Sequence, residues 1–432
     1  GSFCACYGDI RHAGPLARRL AGAGQPRVVR INNARYLTAD LRTFPIRMYH
    51  GAAQIAGLAP DITVLAETDP CPHNRYSTGA YLMHAHYAGS ILEGCHGAKH
   101  WLTRTRSYQP ASGTAYREVL IRHHGFYETL FQAVQTSAPA GCVAAALPSE
   151  PAFNPAPDQG DDGGSGKTWG TLLGVMGLPC NFARMPDLPA LMTGADVGLF
   201  AAADLRRLLK SGLLLEGAAA EALVQRGWAD EIGVRAEPWT GPQVSGERWG
   251  AVVLGPDGPY TRLTPLDART QVHSQLVHRR SGVSGVFEEI GPAATLFQNA
   301  AGGRVVALAA NCGWNNSLTG TGRSFYDEDR KRELVGWLEW IRGRPLEFYY
   351  PGDAEIYLKL RRFTDGRYLL AAFNLGFDPL DTLPLVTPFH ITAAEMIQPD
   401  GAWAPVEVGS GPFLATPLLP AQPKVFRLAV ES

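Results

Sequence analysis

Residues 61–106 restrict the possible fold of this chain more than any other segment. An unbroken apolar run at residues 62–66 stops at two acidic residues, Glu67 and Asp69. Such a run, without alternation, is typical of a strand buried on both faces of a parallel sheet. We therefore expect Glu67 at the carboxyl end of its strand, where parallel α/β sheets and barrels carry their active sites. A solvated glutamate at a strand end is the alternative interpretation.

The same segment belongs to a repeat of strand and helix that occupies the first 140 residues. A helix is predicted at about 78–92, and the predicted strands lie near residues 2–8, 27–33, 61–67 and 97–103. This pattern indicates an α/β fold with four βα units, whereas a closed (β/α)8 barrel needs eight. Because four parallel strands leave open sheet edges, we expect a second chain or an upstream segment to supply the others. An intact four-stranded α/β domain is the remaining alternative.

Residues 66–104 read AETDPCPHNRYSTGAYLMHAHYAGSILEGCHGAKHWLTR. This segment resembles the last two βα units of a retaining (β/α)8 glycoside hydrolase, most like the family 164 β-mannosidases, which are related to the family 42 β-galactosidases. In such barrels the nucleophile is a glutamate at the end of strand seven, and Glu67 matches it. The resemblance implies that the four strands are strands five to eight. It also implies that the acid/base residue, normally at the end of strand four, lies outside this chain.

Further polar and aromatic residues are expected at the same end of the sheet, where they would bind the substrate. Trp101 is predicted to stack on a sugar ring, with core packing as the alternative, and Asn32 and Asn33 are predicted to bind sugar hydroxyls. The other substrate-binding candidates follow Glu67 closely; they are Asp69, His73, Arg75 and Tyr76. An ordinary surface loop is the alternative for this last group. Asp69 is also the second candidate for the nucleophile, although it is better suited to hydrogen-bond the loop backbone.

Histidine and cysteine residues in this segment raise the question of a metal site, since imidazole and thiolate bind zinc. His84 and His86 are expected on one helix two residues apart, so they would face different directions. The spacing of Cys95, His96 and His100 fits no common zinc site. The sequence therefore predicts neither a metal ion nor a cofactor.

Composition excludes some classes of partner. The formal net charge of −1 gives no electrostatic case for binding nucleic acid or an anionic membrane surface. No apolar run approaches the roughly 18 residues that a membrane span needs. The seven cysteines are an odd number and widely spread, which indicates reduced thiols and a cytoplasmic protein.

Beyond the predicted half-barrel of residues 1–140, the sequence predicts three further parts. Residues 141–168 are rich in Pro, Gly, Asp and Ala, which is typical of a linker or surface loop. Residues 169–345 predict a flavodoxin-like α/β domain, which the family resemblance assigns to the formation of a trimer. Residues 346–432 change to alternating strands with an Asp-Gly turn at residues 365–366 and predict a C-terminal antiparallel β-sandwich.

These features together predict a retaining β-glycosidase, similar to the β-mannosidases. It would hydrolyse terminal β-linked sugars through a covalent glycosyl-enzyme on Glu67, with β-galactosides as the second choice of substrate. Activity is expected only when the other half of the barrel is present. The alternative function is a non-catalytic carbohydrate-binding or assembly subunit with the same fold.

Overall fold

The computed structural model describes most of the chain. The described residues are 2–4, 13–31, 41, 44–56, 58, 60–70, 75, 78–102, 110–147, 165–184, 188–255, 258–280, 285–311 and 326–431. They form three sheets of four or more strands and two short two-stranded ribbons. None of the helices in this part of the chain is long and apolar enough to cross a lipid bilayer.

The first sheet has four parallel strands that pair in the order of the chain. Its strands and helices alternate: β1 (Ser2–Cys4), α1 (Ala13–Ala21), β2 (Val28–Ile31), α2 (Phe44–Ala56), β3 (Thr63–Glu67), α3 (Ala80–Leu92) and β4 (Gly97–Lys99). Two more helices follow, α4 (Thr114–Arg122) and α5 (His124–Gln135), and then β5 (Ser137–Pro139). This βα order in a parallel sheet is that of a partial (β/α)8 barrel, so the predicted fold class is confirmed here.

The two central strands bury one face and leave the other partly open. Val29 of β2 and Val64 and Ala66 of β3 are at most 2% exposed and pack in one core with Ala17 of α1. Because side chains alternate along a strand, Leu65 points to the opposite face, where it is only half-buried. The sequence predicts burial on both faces; the face toward the helices is buried, whereas on the inner face Glu67 is buried and Leu65 is only partly so.

The second sheet is built from the middle of the chain. Its elements and those around it are β6 (Cys142–Leu147), α6 (Ser165–Val175), β7 (Cys180–Arg184), β8 (Ala190–Met192), α7 (Gly194–Val197), α8 (Ala202–Ser211), β9 (Leu213–Leu215), α9 (Gly217–Gln225), α10 (Ala229–Ile232), β10 (Val234–Pro238), β11 (Gly246–Trp249), β12 (Val252–Leu254), β13 (Thr261–Pro265), β14 (Gln271–Arg279), β15 (Phe287–Gln298), β16 (Arg304–Leu308) and α11 (Glu328–Arg342). β10 and β13 form a separate ribbon, and the nine other strands form the sheet.

The parallel part of the second sheet identifies its fold. Its strand order is β7-β6-β8-β9-β16, which is 2-1-3-4-5 when these strands are numbered along the chain. This is the order of flavodoxin-like doubly wound sheets, so the predicted flavodoxin-like domain is confirmed. Four antiparallel strands, β15, β14, β11 and β12, extend the sheet beyond β16.

The third sheet is antiparallel and comes from the end of the chain. Its strands and those of the second ribbon are β17 (Ile356–Phe363), β18 (Tyr368–Asn374), β19 (Leu383–Pro384), β20 (His390–Ile397), β21 (Trp403–Val406), β22 (Phe413–Leu414) and β23 (Lys424–Glu431). The sheet order is β21-β20-β23-β18-β17-β5, and β19 pairs with β22. Leu383 and Leu414 of the ribbon share one core with Leu358 of the sheet. The two layers thus pack together, and the predicted C-terminal antiparallel domain is confirmed.

The boundaries of the domains are less simple than the sequence suggests. β5, which ends the range predicted as half-barrel, pairs with β17 of the third sheet. β6 lies inside the range 141–168 predicted as a linker, but it pairs with β7 and β8 in the second sheet. Residues 148–164 of that range lie outside the described residues. The division at residues 140, 168 and 345 stays a prediction.

Candidate active site

Glu67 is the last residue of β3 and forms an ion pair with β2. β2 and β3 pair in parallel with Arg30 opposite Leu65, so side chains of the two strands share the inner face of the sheet. Arg30 Nη1 lies 3.0 Å from Glu67 Oε1. The Glu67 side chain is only 2% exposed and that of Arg30 is 22% exposed. A guanidinium this close favours the ionised form of a carboxylate, which is the form that a nucleophile needs.

Asp69, two residues beyond the strand, organises the end of β4. One oxygen of its carboxylate accepts a hydrogen bond from the backbone N–H of Trp101. The other oxygen, Oδ2, lies 3.6 Å from Lys99 Nζ, and Asp69 itself is buried. Lys99 Nζ also lies 5.1 Å from the centre of the Trp101 ring, within the range of a cation–π contact. Asp69, Lys99 and Trp101 therefore form one connected group at the strand end.

Thr68, between the two acids, contacts a buried histidine. Its hydroxyl lies 2.7 Å from His100 Nδ1, and the His100 ring stands edge-on to Tyr87 with ring centres 5.1 Å apart. Burial lowers the pKa of His100 to about 4, although the nearby Asp69 opposes this shift. His100 is thus neutral at neutral pH and can hold Thr68 through a hydrogen bond without adding charge to the site.

The structure brings together three of the residues predicted for the site. Glu67, Asp69 and Trp101 lie at the carboxyl ends of neighbouring parallel strands, and Trp101 is 45% exposed. Arg75 is also exposed. The other candidates, Asn32, Asn33, His73 and Tyr76, lie outside the described residues. The catalytic and substrate-binding roles of all these residues stay predictions.

The sequence alone gave little weight to two charged residues of this site, Arg30 and Lys99. Their place depends on strand register: Glu67 is paired with Lys99 in β4, and Arg30 is one residue short of the end of β2. A usable signal was available, because a charged residue inside a short apolar strand is rarely buried without a partner. Arg30 interrupts such a strand, VVRI.

The histidines of α3 serve the packing of the helices. His84 Nδ1 lies 2.7 Å from the hydroxyl of Tyr127 on α5, and His86 Nδ1 lies 2.9 Å from the carbonyl oxygen of Leu82. Burial lowers the pKa of both imidazoles, that of His86 to about 4. Among the described residues, no three His, Cys, Asp or Glu side chains are grouped so that they could hold a metal ion.

The described residues show a mixed α/β fold whose first sheet has the βα order of a partial (β/α)8 barrel. No protein-family model and no curated protein matches the chain. Among solved structures it is similar to Gan42B, a GH42 β-galactosidase, with a TM-score of 0.56 and 9% sequence identity over 93% of this chain and 59% of that one. A catalytic mutant of the G. stearothermophilus enzyme gives a TM-score of 0.56 at 10% identity, over 94% of this chain and 60% of that one.

A β-galactosidase from the psychrophilic Marinomonas ef1 is also similar, with a TM-score of 0.54 and 11% identity over 95% of this chain and 65% of that one. The chain thus spans about 60% of the length of the first of these enzymes. Identities of 9–11% show a shared fold and leave the activity open. The likeness supports the expected glycoside hydrolase fold, whereas the closer resemblance to family 164 stays a proposal.

Proposed function

We propose that this chain is the larger part of a retaining β-glycosidase that hydrolyses terminal β-linked sugars, with Glu67 as the nucleophile. The observation that carries the proposal is the position of Glu67 at the carboxyl end of β3, on the inner face of the sheet and 3.0 Å from Arg30. Parallel βα sheets bind substrate at this end. An ionised carboxylate at that position suits attack on a sugar.

The proposed reaction has two steps. A carboxylate oxygen of Glu67 attacks the anomeric carbon while the bond from that carbon to the leaving oxygen breaks, and an acid protonates the leaving oxygen. The residue that acted as the acid then removes a proton from water, and this water attacks the anomeric carbon and releases the sugar from Glu67. In the first step the Arg30 guanidinium orients the Glu67 carboxylate for attack, and in the second step it stabilises the carboxylate that is released. Trp101 is the proposed stacking platform for the sugar, and Lys99 and Asp69 fix its position.

A retaining mechanism needs a second carboxyl group about 5–5.5 Å from the first. We propose that this acid/base comes from a further segment or chain that carries the remaining barrel strands. The half-exposed inner face of β2 and β3 supports this arrangement, because a closed barrel would bury Leu65. We also propose a homotrimer built through the flavodoxin-like domain.

The substrate sugar has two candidates. The resemblance of residues 66–104 favours β-mannosides, and the solved enzymes with a similar fold are described as β-galactosidases. The two sugars differ in the configuration at C2 and C4, so hydroxyl contacts decide between them. Aryl β-mannoside and aryl β-galactoside are therefore both assayed.

Chemical rescue tests the proposed role of Glu67. The Glu67→Gly variant is produced together with the segment or chain proposed to carry the remaining barrel strands, and it is assayed on an activated aryl glycoside. We expect activity to fall by about 10³-fold or more, since the nucleophile is gone. Azide then restores turnover and yields an α-glycosyl azide, because it occupies the space of the missing carboxylate and attacks the anomeric carbon from the same face. The matched control is Glu216→Gly, which removes a buried glutamate at a strand end of the second sheet.

A second candidate function is a carbohydrate-binding or assembly subunit without catalysis. One observation favours it: the Glu67 side chain is 2% exposed, so its carboxylate is covered in this structure. The same assay separates the two functions. Binding of sugars without turnover in the assembled protein, and no rescue by azide, would favour the non-catalytic subunit.

A further inference from the structure

A second cleft lies outside the strand-end site, between α5 and the third sheet. Its volume is about 830 Å³. Gln132 of α5 and Thr136, the residue after that helix, line one wall, and Phe363, Arg367, Trp403 and Arg427 line the other. None of Glu67, Asp69, Arg30 or Trp101 lines it. We propose that this cleft is a separate binding site for a neutral oligosaccharide.

The charges in the cleft favour an uncharged ligand. Arg427 Nη2 lies 2.6 Å from Glu395 Oε2, and Arg367 Nη2 lies 2.6 Å from Asp365 Oδ2. Both guanidinium groups are therefore already neutralised by a carboxylate. The formal charges of the residues that line the cleft also sum to zero, since two arginines are balanced by Asp365 and Glu128. A phosphate or sulfate would find no unpaired cation among these residues.

The aromatic rings and the polar groups in the cleft suit a sugar. The Arg427 guanidinium lies 4.5 Å from the centre of the Trp403 ring, and that of Arg367 lies 5.7 Å from the centre of Phe363. Sugars bind to proteins by laying C–H groups on aromatic surface and by sharing their hydroxyls with amides, hydroxyls and guanidinium groups. Trp403 and Phe363 are half-buried and line the cleft, so the part of each ring that its guanidinium partner leaves open can make the first kind of contact. Gln132, Thr136 and the two arginines can make the second.

The shape of the surface favours a chain of sugar units over a single one. A neighbouring cleft of about 630 Å³ shares Thr136, Phe363 and Thr364 with the first. The two clefts meet at these residues along the turn between β17 and β18, and together they form a groove. The second cleft adds Arg344 and Glu347, whose charged atoms lie 3.2 Å apart, and Arg362, whose guanidinium lies 5.6 Å from the centre of the Tyr368 ring, so the charge balance holds for the first cleft only. A monosaccharide would fill only a small part of the groove.

The walls of the groove are fixed before any ligand binds. The Thr129 hydroxyl of α5 donates a hydrogen bond to the carbonyl oxygen of Gly401, 2.8 Å away. The backbone N–H of Phe126 donates one to the carbonyl oxygen of Pro399, 3.2 Å away. A methyl group added at Gly125 would lie 2.0 Å from the carbonyl oxygen of Asp400, so helix and hairpin are in backbone contact. A preformed groove loses little entropy when a ligand binds.

Binding to the intact chain tests the proposal directly. Isothermal titration and saturation-transfer NMR are run with β-1,4-mannotetraose and β-1,4-galactotetraose, with sodium sulfate as the anionic comparison. We expect one of the tetrasaccharides to bind and sulfate not to bind. Trp403→Ala is expected to weaken binding by about fivefold or more, and Gln132→Ala, on an exposed helix position, by about twofold to fivefold.

The matched control is Trp239→Ala, because Trp239 also lies under an arginine, Arg262, but far from this groove in the sequence and in a different sheet. It should leave binding unchanged. Gln132→Ala keeps the test valid if Trp403→Ala does not fold. Three results would overturn the proposal. The first is that neither tetrasaccharide binds, and the second is that the Trp403 and Gln132 variants bind as tightly as the parent. The third is that sulfate binds in preference to the tetrasaccharides. These measurements record binding only, so their result is independent of catalysis at Glu67.

Discussion

At the scale of single residues, the two acids at the end of β3 have different surroundings. Glu67 is paired with a cation on the neighbouring strand, which fits a group kept ionised for chemistry. Asp69 holds the backbone of Trp101 and lies near Lys99, which fits a group that shapes the site. This difference is the physical reason for assigning the nucleophile to Glu67 and a positioning role to Asp69.

The positioning role of Asp69 predicts a loss of stability on substitution. Asp69→Ala leaves the backbone N–H of Trp101 without its acceptor and is expected to lower the free energy of unfolding by about 1–3 kcal/mol. Urea unfolding measures the change. Asp61→Ala, which removes a surface partner of Arg18 and Arg27, should change little. Equal stability of the Asp69 variant and the parent would contradict the role.

Buried histidines predict a loss of stability in acid. The pKa of His86 is about 4 in the folded protein, below the value of about 6.5 expected for the unfolded chain. As the pH falls below 6.5 the unfolded chain binds protons first, so this stabilisation is complete above pH 6.5 and is lost toward pH 4. The loss for this one residue is on the order of 1–3 kcal/mol.

Urea unfolding at pH 8, 6, 5 and 4 measures this loss. His86→Gln should flatten the dependence on pH between 6.5 and 4. His124→Gln is the matched control, since the His124 side chain is 74% exposed, and it should keep the slope of the parent. An unchanged slope in the His86 variant would show that this imidazole titrates normally.

At the scale of elements, a buried ion pair joins the first and third sheets. Lys359 of β17 donates to Glu93, at the end of α3, over 2.6 Å, and both side chains are at most 4% exposed. Arg361, two residues on, reaches the backbone of Val134 and Ser137. These contacts fix the half-barrel to the C-terminal domain.

Removal of one partner of this pair should lower the free energy of unfolding more than removal of both. Lys359→Met leaves a buried carboxylate unpaired, and we expect the free energy of unfolding to fall by about 3–5 kcal/mol. The double variant Lys359→Met with Glu93→Leu should recover much of that loss, since it buries no charge. Guanidinium unfolding of the parent, the two single variants and the double variant measures the coupling. Additive losses would rule out a direct interaction.

Most elements were predictable from the sequence because their signals are local. The apolar run before Glu67 predicts β3, and the Asp-Gly pair at residues 365–366 predicts the hairpin of β17 and β18. The apolar pattern of residues 114–135 runs on without interruption, so it does not predict the break at His123 between α4 and α5. The pairing of β5 with β17 was also missed, since residues 137–139 carry no strand signal of their own. The Arg30–Glu67 pair depends on register between strands, which no local pattern encodes.

At the scale of the whole molecule, the inner face of the first sheet is incompletely covered at Leu65. We predict that the chain expressed alone shows no turnover of aryl glycosides, because one carboxyl group cannot act as both nucleophile and acid. Addition of the segment or chain proposed to carry the remaining strands should restore turnover. Activity of the chain alone above that of Glu67→Gly would show that the second carboxyl group lies within these 432 residues.

We predict that the protein forms a trimer through contacts of its flavodoxin-like domain. Sedimentation velocity of the assembled protein should give a mass of three protomers. The edge strand β12, with Val253 partly exposed, is one surface available for such contacts. A monomer at micromolar concentration would contradict the trimer and leave the assignment of Glu67 untouched.

Covalent trapping of the glycosyl-enzyme tests the central claim most directly. The assembled protein is incubated with dinitrophenyl 2-deoxy-2-fluoro β-mannoside or β-galactoside, digested, and mapped by mass spectrometry. A 2-fluoro substituent slows both the attachment and the release of the sugar, and the good leaving group speeds only the attachment, so the intermediate accumulates. The account predicts one sugar per chain, attached to Glu67. A label on Asp69 or any other residue, or no label in a protein that turns over the substrate, would contradict it.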